Sequence, residues 1–236
     1  MSRKVIGIIG GMGPAATADL FSKITAATVA ASDQEHLHVI IDSNTGIPDR
    51  TEALLHGGES PVPELAASAR RLVAAGAELI VMACNTAHGF YDEVSEAAGV
   101  PVLHMIRLTA QELNKQGIKR AGLLATDGTV EAGLYDEALA DSGIELLTPS
   151  KSGQAAVMAM AYDGVKSGRL NFDPGEFCRA CEELLDRGAE TLILGCTELP
   201  PAFEHYALPY PHLDPTLVLA HAAVNAACGK SQVLLH

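Results

Sequence analysis

Features that mark several specialised classes of protein are absent from this chain of 236 residues or scarce in it. Tryptophan is absent and aromatic residues make up 4% of the sequence, so aliphatic side chains must fill the core, as in buried parallel sheets. Only 16 lysines and arginines face 29 acidic residues, and the net charge of −13 argues against a nucleic-acid-binding surface. An odd count of five cysteines argues against a disulfide scaffold.

Long apolar runs are also missing. The longest unbroken run, residues 155–162, is far shorter than the roughly 18 residues that cross a bilayer, so no membrane segment is expected. The apolar run that follows Arg3 and Lys4 stops at Ile9 and meets glycines, which favours a first strand over a secretory signal. Together with the cysteine usage, this predicts a reducing, cytoplasmic setting.

The most informative feature that is present is an internal duplication. Residues 76–86 read GAELIVMACNT and residues 188–197 read GAETLILGCT, and in each copy a cysteine lies eight residues after the glycine. A second match, VIGIIG at residues 5–10 with AGLLAT at 121–126, keeps nearly the same distance to the following cysteine. The period is too long for a solenoid and is the size of a small domain, which predicts two similar halves.

Short apolar runs alternate with stretches of helical period. The predicted strands are 5–9, 39–41, 79–83, 100–103, 121–125, 144–147, 191–195 and 210–213, and the predicted helices are 15–31, 60–75, 107–117, 130–141, 174–187 and 215–228. This alternation predicts two pseudo-symmetric three-layer α/β domains with mainly parallel sheets. We expect the first domain to be 1–106, joined by the C-terminal helix 214–236, and the second to be 107–213.

Cys84 and Cys196 each follow a predicted buried strand directly. Ligands of open α/β sheets bind beyond the carboxyl ends of the strands, and equivalent loops of two similar halves face each other across a cleft. A thiol, with an ordinary pKa of about 8.5, can serve near neutral pH as either acid or base. The paired cysteines therefore indicate symmetric acid–base chemistry in an interdomain cleft, although a lone buried cysteine is often only a small apolar residue. His88, four residues after Cys84, either orients that thiol or packs its helix.

Other motifs leave alternatives open. Residues 11–16 satisfy G-x-G-x-x-A after a strand, and Asp42 ends the next predicted strand, as in a dinucleotide-dependent oxidoreductase. That interpretation leaves the paired cysteines without a role. Cys178 and Cys181 form a single C-x-x-C, which is a weak zinc signal and fits a buried and an exposed position of one helix better. Arg50 reads as a loop residue and Lys166 lies near a helix end.

Three segments carry a resemblance to a known family. VIGIIGGMGPAATADLFSK at 5–23, MACNTAH at 82–88 and GCTELP at 195–200 closely resemble the aspartate branch of the aspartate/glutamate racemases, which are independent of pyridoxal phosphate. The resemblance extends over essentially the whole chain. It implies two pseudo-symmetric α/β domains with the active site between them, and a homodimer.

The resemblance also implies roles for individual residues. Cys84 and Cys196 would be the two catalytic acid–base residues, and their roles would swap with the substrate enantiomer. Met12 would lie in the N-terminal substrate loop, and Arg50 and Lys166 would bind the side-chain carboxylate and tune the cysteines. The residues that would bind the α-carboxylate and the amino group are Asn85, Thr86, Thr126 and Thr197.

The sequence thus predicts a racemase that interconverts L- and D-aspartate without a cofactor or a metal. Its expected partner is a small acidic amino acid, with no nucleic acid and no membrane. Glu198, after the second motif's threonine, favours the aspartate branch over the glutamate branch. The alternatives are a broad-specificity or glutamate racemase of the same superfamily, a nucleotide-dependent oxidoreductase, and a binding protein without turnover.

Overall fold

The computed structural model describes residues 3–169 and 171–229 and contains two four-stranded parallel sheets flanked by helices. The first sheet has the order β2-β1-β3-β4 and the second the order β6-β5-β7-β8. The strands are β1 (Ile6–Gly10), β2 (Val39–Ser43), β3 (Leu79–Met82), β4 (Val102–Leu103), β5 (Arg120–Leu124), β6 (Glu145–Leu147), β7 (Thr191–Leu194) and β8 (His212–Leu213). The predicted α/β class with two parallel sheets is confirmed.

The two sheets have matching register, which supports the duplication. Gly7 of β1 pairs with Ile80 of β3, and Gly122 of β5 pairs with Leu192 of β7. A Cβ atom at Gly7 would lie 2.6 Å from Cδ1 of Ile80, and one at Gly122 would lie 2.9 Å from Cδ2 of Leu192. In both halves, therefore, the side chain of the neighbouring strand occupies the space above a glycine.

Helices connect the strands on both faces. The helices are α1 (Pro14–Ala27), α2 (Arg50–Leu55), α3 (Val62–Ala74), α4 (Tyr91–Ala98), α5 (Met105–Gln116), α6 (Asp127–Glu131), α7 (Leu134–Leu139), α8 (Lys151–Ala159), α9 (Gly175–Asp186), α10 (Leu199–His205) and α11 (Pro215–Cys228). Short 3-10 segments lie at Asp33–Glu35 and Thr86–Phe90, and a π-helical segment, Met160–Lys166, continues α8.

The eight predicted strands and five of the six predicted helices are present with shifted ends. The predicted helix 130–141 is wrong as a single element: α6 and α7 replace it because Gly133 between them adopts a φ of 63° in the left-handed region. The sequence did not predict α2, α4, α8 or α10. The last residues of the predicted segment 214–236, from 230 onward, lie outside the described residues.

Helix α11, at the end of the chain, packs on the first sheet, and helix α5, at the junction of the two halves, packs on the second. Leu219 and Ala223 of α11 share an apolar cluster with Ile8 of β1 and Leu20 of α1. Along α5, the apolar residues that follow Met105 share a cluster with strand β5 and helix α7. The two helices also contact each other and so join the halves. We propose the division into 1–106 with the C-terminal helix and 107–213.

None of the helices in the described ranges combines the length and the apolar character that a membrane crossing needs.

Leucines at two positions of α11 give a matched test of this packing. Leu219 is fully buried, whereas Leu217 is 39% exposed. We expect Leu219→Ala to lower the free energy of unfolding by about 2–5 kcal/mol, because it leaves a cavity between the halves. Leu217→Ala should cost about 0.5 kcal/mol or less. Urea denaturation measures both, and equal losses would contradict the placement of α11.

Candidate active site

All nine residues that the sequence singled out as site residues line one cavity between the two sheets. They are Met12, Arg50, Asn85, Thr86, Thr126, Lys166, Thr197 and the two cysteines, Cys84 and Cys196. Both halves contribute, and each supplies residues that follow the carboxyl ends of its strands. The space left between them is about 10 Å³, which is room for about one water molecule.

Each cysteine is held just beyond a central strand. Cys84 lies two residues after the end of β3 and begins the turn into the 3-10 segment Thr86–Phe90, and Cys196 lies two residues after β7 and before α10. Both thiols are free, and the two residues are 6% and 5% exposed. The two thiols therefore sit in equivalent places and are equally shielded from solvent.

A carboxylic acid lies against the second thiol. Sγ of Cys196 donates to Oε2 of Glu198 at 3.0 Å, and the hydroxyl of Thr197 donates to the same oxygen at 3.3 Å. Glu198 is 2% exposed, and its Oε1 has no partner among the described residues. Burial raises the pKa of Cys196 well above its ordinary value, the negative charge of Glu198 raises it further, and Lys166 partly opposes both.

Lys166 ends the π-helical segment, in agreement with its predicted place near a helix end. Its Nζ lies 3.8 Å from the centre of the Tyr162 ring, one helical turn earlier, in a cation–π contact. Burial alone would lower the pKa of Lys166, but electrostatic interactions with acidic neighbours, of which Glu198 is the strongest, outweigh burial and raise it. The ammonium group therefore stays charged inside the site.

Arg50 is the first residue of α2, so its predicted loop position is wrong. Asp49 caps the helix, because its carboxylate accepts hydrogen bonds from two backbone N–H groups of the first turn. The guanidinium donates to the carbonyls of Pro48 at 2.9 Å and Met12 at 3.4 Å, and its buried Nε has no partner among the described residues. Burial lowers the pKa of Arg50, but electrostatic interactions with Cys84 and Asp49 outweigh burial and raise it overall.

Asn85 presents one free donor to the cavity. Its Oδ1 accepts from the hydroxyl of Tyr135 at 2.8 Å, and this fixes the amide so that the buried Nδ2 is left without a partner in the described structure. Nearby, the hydroxyl of Thr86 lies 3.0 Å from that of Thr126 and 2.9 Å from that of Thr129. These three hydroxyls link the loop after Cys84 to the second half of the chain.

His88 fixes the loop that contains Cys84 through hydrogen bonds to the backbone. Its Nε2 accepts from the backbone N–H of Met105 at 3.0 Å, so Nδ1 carries the proton and donates to the carbonyl of Cys84 at 2.8 Å. Complete burial lowers the pKa of His88 to about 4, so the ring is neutral at physiological pH. His88 thus positions the backbone of Cys84 rather than its sulfur. His88 also lines a second cavity of about 310 Å³.

Four further residues line the cavity that the sequence did not single out as site residues: Asp49, Thr51, Tyr162 and Glu198. The sequence contains a signal for two of these four residues. Asp49 is of a type that caps helices and directly precedes α2. Glu198 follows the second cysteine by two positions, but it was used only to distinguish the aspartate branch of the racemases from the glutamate branch. No sequence signal placed Tyr162 over Lys166, because the contact depends on the π-helical turn.

The residues behind the dinucleotide hypothesis have other partners here. The carboxylate of Asp42 forms an ion pair with Arg71, with Oδ2 to Nη2 at 2.8 Å. A Cβ atom at Gly11, whose φ is 89°, would lie 2.4 Å from the backbone of Asn44. The glycine therefore allows the N-terminal loop to pack on the loop that follows β2. Cys178 and Cys181 both lie within α9, the second one buried, as the helix interpretation predicted.

Comparisons with known proteins agree with this geometry. The sequence profile of the Asp/Glu/hydantoin racemase family matches residues 9–223. The chain is 26% identical over 234 residues to a broad-specificity amino-acid racemase, RacX, of Bacillus subtilis, covering 94% of this chain and 97% of the relative.

Two solved structures cover almost the same extent of the chain. An aspartate racemase of Picrophilus torridus superposes with a TM-score of 0.86 at 34% identity, covering 95% of this chain and 94% of that one. An aspartate racemase homologue of Pyrococcus horikoshii superposes with a TM-score of 0.76 at 28% identity, covering 95% and 99%.

The neutral His88 makes a prediction about pH. Its pKa of about 4 in the folded protein lies below the ordinary 6.5, so the unfolded chain takes up the proton first as pH falls from 6.5 to 4. The protein should lose up to ~3 kcal/mol of stability over that range through this residue, at 1.36 kcal/mol per pKa unit. Chemical denaturation at a series of pH values measures the loss.

In His88→Asn the dependence of stability on pH should be flatter between pH 6.5 and 4, because the residue no longer titrates. His104 also has a pKa lowered by burial, so the difference between the variant and the wild type is the quantity to compare. His36 is exposed, and His36→Asn serves as the matched control. Equal slopes in the wild type and His88→Asn would contradict the buried neutral ring.

Proposed function

The chain belongs to the Asp/Glu/hydantoin racemase family, and we propose that it interconverts L- and D-aspartate, with Cys84 and Cys196 exchanging protons with the substrate Cα. One observation carries the proposal: two thiols from equivalent positions of two similar halves line the same enclosed cavity. A substrate held between them presents opposite faces of Cα to the two sulfurs. One thiolate removes the α-proton, and the opposite thiol delivers its own proton to the other face.

The difficulty of this reaction is charge. An α-proton beside a carboxylate is very weakly acidic, because its removal adds a second negative charge to an anion. Without a cofactor to accept electrons, the protein must stabilise that charge with preorganised donors and cations. The free Nδ2 of Asn85, the guanidinium of Arg50 and the ammonium of Lys166 supply them in a buried site. Buried groups act more strongly than solvated ones, because the surrounding dielectric is low.

The unpartnered polar atoms of the cavity support an acidic substrate. Two cations, Arg50 and Lys166, and two acids, Asp49 and Glu198, line it, and the carboxylate of Asp49 is engaged in capping α2. Among the described residues that line the cavity, the buried polar atoms without partners are two donors, Arg50 Nε and Asn85 Nδ2, and one acceptor, Glu198 Oε1. A dicarboxylic amino acid brings two carboxylates and one ammonium, which match these two donors and one acceptor. The aspartate racemase of Picrophilus torridus is a close structural relative.

Substrate entry requires movement. A cavity of about 10 Å³ holds no amino acid, so this is a closed form. A shallower depression of about 430 Å³ lies outside it and shares Met12, Arg50, Lys166 and Glu198 with the cavity. These four side chains form the wall between the depression and the cysteines. We propose that the substrate enters by this route.

A broader substrate range is the second candidate, because a broad-specificity racemase of Bacillus subtilis matches the chain over almost its whole length. A panel of amino acids decides between the two. If the cations bind the side-chain carboxylate, asparagine should be processed roughly 10- to 100-fold less efficiently than aspartate, since an unsatisfied buried charged group costs about 1–3 kcal/mol. Equal kcat/KM values for aspartate, asparagine and alanine would favour the broad-specificity alternative.

Removal of either cysteine tests the catalytic assignment. Cys84→Ala and Cys196→Ala should each lower the rate of aspartate racemisation by at least about 10²–10⁴-fold, because each removes one of the two proton-transfer groups. Chiral chromatography of reactions started from each enantiomer measures the loss.

Cys178→Ala is the matched control, because Cys178 lies in α9 away from the cavity. It should keep full activity. Activity should also survive hydroxylamine treatment, which removes carbonyl cofactors such as pyridoxal phosphate. A double cysteine variant that still racemises aspartate would exclude the two-thiol mechanism.

A further inference from the structure

The two copies of the cysteine motif differ in charge. The first reads Cys84-Asn85-Thr86 and the second Cys196-Thr197-Glu198, so the residue two positions after the sulfur is a neutral hydroxyl in one half and a carboxylic acid in the other. The hydroxyl of Thr86 is held by two other threonines. The carboxylate of Glu198 instead accepts directly from the neighbouring thiol.

The contact between Cys196 and Glu198 forces the two groups to share a proton. Their Sγ and Oε2 atoms lie 3.0 Å apart, and the residues are 5% and 2% exposed. Two acidic groups this close in a buried site repel each other strongly if both are ionised. A Cβ atom at Gly13 would lie 3.3 Å from Oε1, so the N-terminal loop leaves the carboxylate little room to turn away.

The other charged and titratable groups around Cys196 do not reverse the effect of Glu198, which disfavours the thiolate of Cys196. Glu198, Lys166, Tyr135 and Tyr162 interact with it electrostatically, and Arg50 and Cys84 line the same cavity. Lys166 is the cation with the largest effect on Cys196, and it interacts more strongly with Glu198 than with Cys196. Burial, followed by Glu198, raises the pKa of Cys196 in spite of Lys166.

Cys84 has the opposite surroundings. The buried guanidinium of Arg50 lines the same cavity and interacts electrostatically with it. A cation next to a thiol stabilises the thiolate. The backbone of Cys84 is fixed by the neutral ring of His88, which adds no charge.

We propose that Glu198 is a positioning residue that keeps the proton on Cys196, so that the resting protein holds Cys196 as the acid and leaves Cys84, which shares the cavity with Arg50, to act as the base. The inference rests on the proposed function in that both cysteines exchange protons with Cα. The resting form is then ready for the one enantiomer whose α-hydrogen faces Cys84.

The bonds and protons of one turnover balance. The Cα–H bond breaks, its electron pair stays on the substrate, and the proton moves to the sulfur of Cys84. The pair then forms a new bond to the proton that leaves Cys196 on the opposite face. Cys84 ends as the thiol and Cys196 as the thiolate beside Glu198. A proton must return to Cys196 and leave Cys84 before the same enantiomer can react again.

Steady-state rates do not directly report the difference in ionisation between Cys84 and Cys196. The equilibrium constant between enantiomers is one, so kcat/KM must be equal in the two directions for the wild type and for every variant. The ionisation of each thiol has to be measured separately. Alkylation by iodoacetamide, which is small and uncharged, reports it because only the thiolate reacts.

The experiment follows alkylation of each cysteine by peptide mass spectrometry at neutral pH. Cys84 and Cys196 are similarly buried, and the change in rate at Cys196 between the wild type and Glu198→Gln separates ionisation from access. We expect Cys84 to react about tenfold faster or more in the wild type, because Cys196 keeps its proton beside Glu198. In Glu198→Gln the rate at Cys196 should rise about tenfold, since the repelling charge is gone, whereas the rate at Cys84 should stay the same.

Glu204→Gln is the matched control, because Glu204 is an exposed acid of α10. It should change neither rate. The partly buried Cys178 gives an internal reference for intact folding in every sample. If Glu198→Gln does not fold, the alkylation rates of Cys84 and Cys196 in the wild type still test the inference.

Equal reactivity of Cys84 and Cys196 in the wild type would overturn the inference, and so would an unchanged rate at Cys196 in Glu198→Gln. Neither readout depends on turnover. An active racemase with equal thiols would refute the role of Glu198 alone. If Cys84 and Cys196 are alkylated at different rates in a protein that racemises no amino acid, the proposed function is refuted, but the difference in ionisation between the two thiols remains.

Discussion

The constraint on which the rest of the structure depends is that two separate parallel sheets must end at one small cavity. Cys84 and Cys196 lie 112 positions apart, so chain proximity cannot bring them together. Helices α5 and α11 join the halves, because each packs on one sheet and the two helices contact each other. The carboxyl ends of the strands then face each other, and residues on loops acquire fixed positions because rigid strands precede them.

The cavity balances buried charges that would be costly alone. Arg50 and Lys166 are each held in the charged state by acidic neighbours, and Glu198 accepts a hydrogen bond from the thiol of Cys196. Some buried polar atoms nevertheless have no partner in the described structure. Such atoms are unfavourable in a folded protein unless a ligand satisfies them, so the site is built for the bound state. The small volume of the cavity agrees with a reaction in which water must be excluded and negative charge must be stabilised.

The sequence predicted the fold and the location of the site well, for physical reasons. Buried parallel strands are continuous apolar runs, and the duplication made each half an independent check on the other. Gly7 and Gly122 pair with equivalent positions of β3 and β7. Because strand ends share one sheet edge, the residues that follow the strands, among them Cys84 and Cys196, were expected to meet. The family resemblance added Met12, Arg50 and Lys166, and the structure brings all nine predicted residues together in one cavity. Their catalytic and binding roles remain predictions.

Contacts that depend on short helices could not be predicted. The pattern around Arg50 is too short to show that it starts a helix, and a single left-handed glycine divides the predicted helix 130–141. Tyr162 meets Lys166 only through a π-helical turn. The bond between Cys196 and Glu198 spans two residues, but its direction into the cavity depends on the backbone turn before α10.

The measurement that tests the central claim most directly is the deuterium content of aspartate at low conversion in deuterated buffer, starting from each pure enantiomer. Two thiols on opposite faces predict that the newly formed enantiomer carries solvent deuterium at Cα, whereas the recovered starting enantiomer keeps its proton. A single group acting on both faces would return the original proton to the product or exchange both enantiomers alike. Either result, in either direction, would contradict the account.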